Sequence, residues 1–303
     1  MSVLGRRCLG AAAGMILDRL IGEPPTVVHP VAWFGRTMTA VEDTVWADRR
    51  PPGVAYTVLG VGLGAGAGRI VNSLSLAIAL TVAGRELRQI ALEIATVTTS
   101  GDLEAARAML PSLVGRDPSE LSENDIAAAV IESVAENTVD AVVAPVLWGV
   151  AGGAPGAAAY RAINTMDAMV GHRNERYDNF GWAAARLDDV ANYLPARLFA
   201  GLVALETPTR ARKVLDAVRR FAPAHPSPNA GVAETAVAAS LGRQLGGPLR
   251  YGDIREDRPF LGEGPRPTPR DIARAVDVVD RVELTMICGL VTVGFVDWLW
   301  RRR

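Results

Sequence analysis

Three stretches of the chain run long with little or no charge, and they set the architecture the sequence predicts. Ala141 to Tyr160 carries no charged residue, and Gly53 to Gly84 carries only Arg69. Leu284 to Trp300 is apolar and ends on Trp298, Trp300 and the basic run Arg301-Arg302-Arg303. About 20 apolar residues suffice to cross a bilayer as a helix, and aromatics followed by arginines mark a cytoplasmic exit. Val3 to Ile21 is a further apolar helix, short for a crossing unless tilted. Polar positions at helical spacing fill the gaps: Trp33 to about Asp48, Arg85 to Pro111 with a break and N-cap at Ser100-Gly101-Asp102, and basic Thr209 to Arg220. The expected fold is all-α, a polytopic integral membrane helical bundle with cytoplasmic amphipathic helices. It forms one domain over residues 1–303, with a Gly-, Pro- and Arg-rich surface loop at about 244–270.

The central uncharged run is framed by polar residues of an unusual kind. Glu132, Glu136, Asn137 and Asp140 precede it; Asn164, Asp167, Arg173, Asn174, Glu175, Arg176, Arg186, Asp188, Asp189 and Asn192 come after it. Glu132, Glu136 and Asp140 are spaced i, i+4, i+8 and form one acidic stripe on a regular helix. Gly152-Gly153-Ala154-Pro155-Gly156 is a strong break, so two antiparallel helices meeting there are expected, as a broken or re-entrant hairpin. Folding back at that point brings Asp140 to the depth of Asp167, with Asn137 and Asn164 within about one helical turn. A single crossing would instead put the two polar clusters in opposite compartments. Facing carboxylates with amides nearby suit a hard cation that also holds phosphate oxygens, for which Mg²⁺ is the usual choice. Arg173, Arg176 and Arg186 offer planar forks for phosphate or carboxylate. The plainer alternative is a set of caps and ion pairs at ordinary helix ends. Acids packed this closely repel one another without a cation or arginines, which favours a site.

Composition narrows the classes. Apolar residues make up 49% of the 303, aromatics 6%, and the mean hydropathy is +0.17. A net charge of −1 argues against a nucleic-acid partner. Lys213 is the only lysine, which excludes lysine Schiff-base chemistry and a lysine-bearing phosphate loop almost everywhere. Cys8 and Cys288 stand at opposite ends in apolar segments and suggest neither a disulfide framework nor a thiolate metal site. Asp18-Arg19 interrupts the basic-then-apolar N-terminus, which reads as a retained first helix rather than a signal peptide. The glycines at 60, 62, 64, 66 and 68 lack dinucleotide-loop spacing and fit close helix packing better.

Two smaller patches add candidates. Asp18 lies in an apolar helix, where it is expensive unless it serves a site or pairs with Arg19 or Arg36. His29, before Pro30, is a structural turn residue or a ligand. In Ala224-His225-Pro226-Ser227-Pro228-Asn229-Ala230-Gly231, two prolines stiffen a segment whose His225, Ser227 and Asn229 precede a helix expected near Val232. Such a helix start is an anion site or, equally, the cap of a rigid linker.

These motifs resemble the CobD/CbiB family of cobalamin biosynthesis, the adenosylcobinamide-phosphate synthases. The resemblance lies in DRLIGEPPTVVHPVAWFGR (Asp18 to Arg36), SVAENTVDAVVAPVLWG (Ser133 to Gly149), the stretch from Gly152 to Leu198, and AHPSPNAG (Ala224 to Gly231). The pieces run through nearly the whole chain, and the two central ones are long and unusual; Glu23 departs from the Asp the family often carries there. The resemblance implies a multi-pass cell-membrane enzyme with its site facing the cytoplasm. Its reaction would be a carbon–nitrogen ligation joining the corrinoid adenosylcobyric acid to aminopropanol or its O-phosphate. ATP with Mg²⁺ is the expected activating means, although no Walker loop is present. On this view Asp140 and Asp167, with Glu136, hold Mg²⁺, and Arg173, Arg176 and Arg186 bind phosphate. Asp188 or Asp189 orients an arginine or accepts the amine proton. Asn137, Asn164, Asn174, Asn192, Asp18 and His29 join the substrate-binding set, and His225, Ser227 and Asn229 bind substrate or a second phosphate. Besides substrates and lipid, a second copy of the chain or other corrinoid-pathway enzymes are candidate partners. The rival readings are a polytopic transporter, disfavoured because the polar residues cluster at helix ends and in loops, and a scaffold of a biosynthetic complex.

Overall fold

A computed structural model describes residues 1–115, 117–247, 249–251, 254–256 and 258–302, by backbone alone at 249–251 and 254–256. Arg303 of the basic tail and residues 248, 252, 253 and 257 of the 244–270 segment lie outside the described residues. The helices are α1 (Val3–Ile21), α2 (Pro30–Val45), α3 (Arg50–Val71), α4 (Leu74–Thr81), α5 (Gly84–Thr99), α6 (Leu103–Met109), α7 (Glu123–Thr138), α8 (Ala144–Val170), α9 (Trp182–Ala191), α10 (Tyr193–Glu206), α11 (Ala211–Phe221), α12 (Ala230–Leu241) and α13 (Pro269–Trp300). Local chemistry explains many of their ends. Ser2, Ser73, Asp102 and Ser122 accept a backbone N–H as N-caps of α1, α4, α6 and α7. Left-handed Asn72 (φ 50°) ends α3, so the run from Gly53 to Gly84 is divided at Asn72-Ser73 into α3 and α4.

All-α needs one correction, because four short strands lie between α12 and α13. Leu245–Gly246 (β1) pairs antiparallel with Phe260–Leu261 (β4), and Leu249–Tyr251 (β2) with Ile254–Glu256 (β3). The chain is therefore nearly all-α. The segment is also more than a surface loop, since Leu245 and Leu261 are fully buried. Glycines at positive φ, Gly246 and Gly247, turn the chain so that these two apolar side chains can point inward.

The chain forms two compact units. One comprises Met1–Arg85, Asp140–Asn192 and Met286–Arg303. One of its cores joins Met15 of α1, Ile78 of α4, Val146 and Ala157 of α8 and Ile287 of α13. Another joins Met38, Tyr56, Met166, Phe180 and Ala184, with the Tyr56 and Phe180 rings 5.2 Å apart. Gly60, Gly64 and Gly68 of α3 face α8. A Cβ on Gly64 would stand 2.6 Å from the Ala162 Cβ and 2.8 Å from the Ala158 carbonyl oxygen, whereas one on Gly62 or Gly66 would meet nothing. Only the i, i+4, i+8 subset of the glycine run is thus used for close packing.

The turn within α8 shapes this unit. Gly153 (φ 71°, ψ −160°) is the non-helical residue inside Ala144–Val170, a conformation that favours glycine, and Pro155 comes two residues later. On either side the chain doubles back: Ala144 and Tyr160 share a core cluster, and a Cβ on Gly149 would be 3.4 Å from that of Ala157. Arg7 Nη1 donates to the Val150 and Ala151 carbonyls released by the break.

The second unit comprises Glu86–Val139 and Tyr193–Thr285. Its centre is α12, buried along its whole length and packed by α7, α10 and α11. Buried Glu132 of α7 accepts the Gly246 N–H at 2.8 Å. Arg88 bonds Asp280 at 3.3 Å and also pairs with Glu283. Among the described residues, Arg50–Val71, Glu123–Val170 and Pro269–Trp300 are long and apolar enough to cross a membrane. Exposed Val58 and Ile70 on α3 and Phe295 and Trp300 on α13 are compatible with a membrane protein.

Candidate active site

The acidic stripe expected at Glu132, Glu136 and Asp140 does not survive in the fold. Val139–Val143 is a π-helical turn, and the extra residue swings the downstream side chains by about 100° from a regular helix. Glu132 is spent on Gly246, Glu136 is exposed, and Asn137 donates back to Ser133 at 2.9 Å. Asp140 is left to a different set of neighbours.

Those neighbours come from the second half of α8 and from α9. Asn164 Nδ2 donates to Asp140 Oδ2 at 3.1 Å, between residues that a straight helix would set about 36 Å apart. The same nitrogen lies 3.5 Å from Asp188 Oδ1. Asn192 Nδ2 donates to the other Asp188 oxygen at 2.9 Å, and the buried Tyr160 hydroxyl donates to Asn192 Oδ1 at 2.7 Å. Trp148 Nε1 bonds the Ala191 carbonyl at 3.0 Å, fixing the end of α9 against α8. Asp167 lies one helical turn from Asn164, and its carboxylate folds over Gly171, where a Cβ would collide with it. Burial first, and then the charge of Asp167, pushes the Asp188 carboxyl up to about 7, while the bonds from Asn192 and Asn164 pull the other way. Burial also raises Asp189, opposed by Arg186 and Arg173.

Several residues expected at the site are engaged elsewhere. Arg176 donates to buried Glu42 at 2.9 Å and lies over the Trp46 ring, so it ties α2 to the segment before α9. Arg186 reaches Asp189 on its own helix at 3.5 Å, and Arg173 is exposed. Asn174 accepts the N–H groups of Arg176 and Tyr177 as a turn residue. Buried Asp18 accepts the Arg85 N–H at 3.1 Å in the first turn of α5. His29 caps α2 and lies 3.0 Å from Glu23. Ser227 accepts the N–H groups of Asn229 and Ala230, which starts α12 at Ala230 rather than near Val232. His225 Nδ1 accepts the Ser227 N–H at 3.0 Å, and Asn229 accepts from Arg197 at 2.8 Å. These three form a group of their own in the second unit.

Tyr160 and Arg161 were not among the expected residues. Their signal was spacing, since Tyr160 stands four and Arg161 three positions before Asn164 on one helix.

The carboxylates of Asp140, Asp167 and Asp188 offer hard oxygens, which fit Mg²⁺, while Asn164 and Asn192 turn N–H groups toward Asp140 and Asp188. Among the described residues no three His, Cys, Asp or Glu side chains gather into a ready metal cage. A cation held by one or two carboxylates together with phosphate oxygens, the usual manner for Mg²⁺, needs none. The clustered negative charge around Asp188 is itself what a cation would relieve.

Fold and site together define a nearly all-helical protein with membrane-length apolar helices and a carboxylate–amide network folded around a glycine break. The family described as "CobD/Cbib protein" matches residues 11–279, and the chain belongs to it. Its relatives include the Cobalamin biosynthesis protein CobD of Mycobacterium bovis, 44% identical over 294 residues that cover 93% of each chain. The protein of the same name from Rhodobacter capsulatus is 39% identical over 91% of this chain and 95% of its own. That from Chromobacterium violaceum is 43% identical over 88% and 90%. No solved structure matches the chain significantly.

Proposed function

We propose that this protein acts in cobalamin biosynthesis as an amide-forming ligase, joining adenosylcobyric acid to aminopropanol or its O-phosphate. Membership of the family supports the pathway. The reaction type is supported by one observation above the rest: the Asn164 amide bridging Asp140 and Asp188, with Asp188 held near neutrality. A carboxyl group poised at about 7 can take a proton from an attacking amine and release it again at ambient pH. Asn164 and Asn192 orient its two oxygens, and Tyr160 holds Asn192 in the donating orientation. Asp140 and Asp167 are the residues to hold Mg²⁺, which when bound would neutralise phosphate charge on ATP. Joining a free carboxylate to an amine requires activation, and ATP is the expected co-substrate.

From Asp140 to Gly153 the first arm is about 20 Å long, shorter than the roughly 30 Å hydrocarbon core. We therefore read the turn at Gly153 as re-entrant, with the site opening to the cytoplasm.

The test is an assay of detergent-purified protein with adenosylcobyric acid, the amine, ATP and Mg²⁺, read by mass analysis. Product that requires ATP and Mg²⁺, and that is lost in folded Asp140→Asn and Asp167→Asn proteins, is the expected result. Full activity in both variants would remove the assigned roles, and no product from folded wild type would favour a scaffold.

A further inference from the structure

We infer that α10 and α11 lie along an anionic bilayer surface, α10 seating a leucine stripe among the acyl chains and α11 setting its cations on lipid phosphates. Leu194, Leu198, Leu202 and Leu205 recur at i, i+4, i+8 and i+11, which gathers them on one side of α10. Leu194 and Leu205 are 63% and 62% exposed, whereas Ala196, Phe199 and Val203 of the opposite side are buried. The two charged residues of α10 are drawn away from the stripe. Arg197 lies over the Tyr193 ring and donates to Asn229 at 2.8 Å, and Glu206 pairs with Arg281 of α13 at 3.7 Å.

The outer face of α11 supplies the charge. Arg212, Lys213, Arg219 and Arg220 are all exposed on it, and Val214 is buried beneath. Asp216 lies 3.7 Å from Arg212 and 3.6 Å from Arg219, and Arg220 reaches Glu263 at 2.6 Å. These pairs stand in water, where they hold weakly, and the cations outnumber the acids. Because α10 and α11 pack against each other and both against α12, the faces they turn away from α12 adjoin. A row of leucines thus runs beside a row of arginines, the pattern of a helix pair seated at a membrane surface.

Three observations make the occupant a bilayer. At 14 residues α10 is about 21 Å long, too short to cross one. Cations stand at both ends of α11, so the pair cannot sink end-on into hydrocarbon. The end of α10 is also level with the point where α13 becomes apolar: Glu206 accepts from Thr285 and pairs with Arg281, and residues 284–296 carry no charge.

The sequence provides its own reporter, since Lys213 is the only lysine. Full-length protein in lipid nanodiscs, open to reagent on both faces, is acylated with a neutral amine-reactive ester and read by peptide mass analysis. With about one-third phosphatidylglycerol in phosphatidylcholine, Lys213 should react about fivefold more slowly than in phosphatidylcholine alone, and about 0.5 M salt should restore the rate. The combined variant Arg212→Gln, Arg219→Gln and Arg220→Gln should lose most of this protection. Equal rates in the two lipids would overturn the inference. So would equal slowing in the variant, which a diffuse surface potential without α11 contact would produce.

The leucine stripe is read in wild type by carbene labelling. Leu194, Leu198 and Leu205 should take label from a diazirine on the lipid acyl chains at least about threefold more than from a water-soluble diazirine. Preferential labelling from water would overturn the inference. Labelling from neither source would mean that a second copy of the chain covers the stripe, and would overturn it equally.

Discussion

Raising the pH of Mg²⁺-free protein from about 5 to about 9 should ionise Asp188 with a midpoint near 7, far above the ordinary 3.8. The shift corresponds to a preference for the neutral carboxyl on the order of 4 kcal/mol, at 1.36 kcal/mol per unit. Because the folded state holds this proton more tightly than the unfolded chain, the stability is fully present below about 3.8. It is lost as pH rises through about 7. The direct assay is the infrared carbonyl stretch of a protonated carboxyl group, taken as the difference between wild type and Asp188→Asn across the titration. The band should be half-lost near pH 7 in wild type and absent from the variant. Asp167→Asn should lower the midpoint, since the Asp167 charge is the second cause of the shift, and added Mg²⁺ should lower it too. Chemical unfolding measured along the same series should show stability declining between about pH 4 and 7 in wild type and declining less steeply in Asp188→Asn, where Asp189 still titrates. A midpoint near 4, or an identical band in the variant, would refute the account of Asp188 as a neutral-pH proton acceptor.

Packing and topology carry other expectations. Gly64→Ala must displace Ala162 or the Ala158 carbonyl and should cost about 1–3 kcal/mol, while Gly62→Ala, with open space around it, should be near neutral; thermal melts in detergent compare the two. Glu132→Ala leaves the buried Gly246 N–H without its acceptor and should cost about 1–3 kcal/mol in the same melts, with Glu132→Gln recovering much of it. If the turn at Gly153 is re-entrant, a cysteine at Ala151 should resist an impermeant thiol reagent on the extracytoplasmic side of oriented vesicles. Labelling there as fast as at a soluble loop would mean a full crossing.

Much of the scaffold was legible because it depends on neighbours in the chain. The extent of α1, the cap at Asp102 and the break at Gly152–Gly156 arise from side chains acting within a few residues. Close packing by the glycine run was likewise readable, although choosing Gly60, Gly64 and Gly68 required the face that α8 covers. The central polar cluster was recognisable as a candidate site, and Asp140, Asn164, Asp188 and Asn192 do meet.

What the chain's order alone did not decide was which polar group each side chain would find. The π turn at Val139–Val143 dissolved the acidic stripe, because one extra residue in a helix redirects every later side chain. Arg176 was taken by Glu42 across 134 positions, and Glu132 by Gly246 across 114. The raised Asp188 carboxyl has the same origin. Burial and charge are properties of the packed surroundings, and a residue's affinity for a proton or an anion is set by what tertiary structure places beside it.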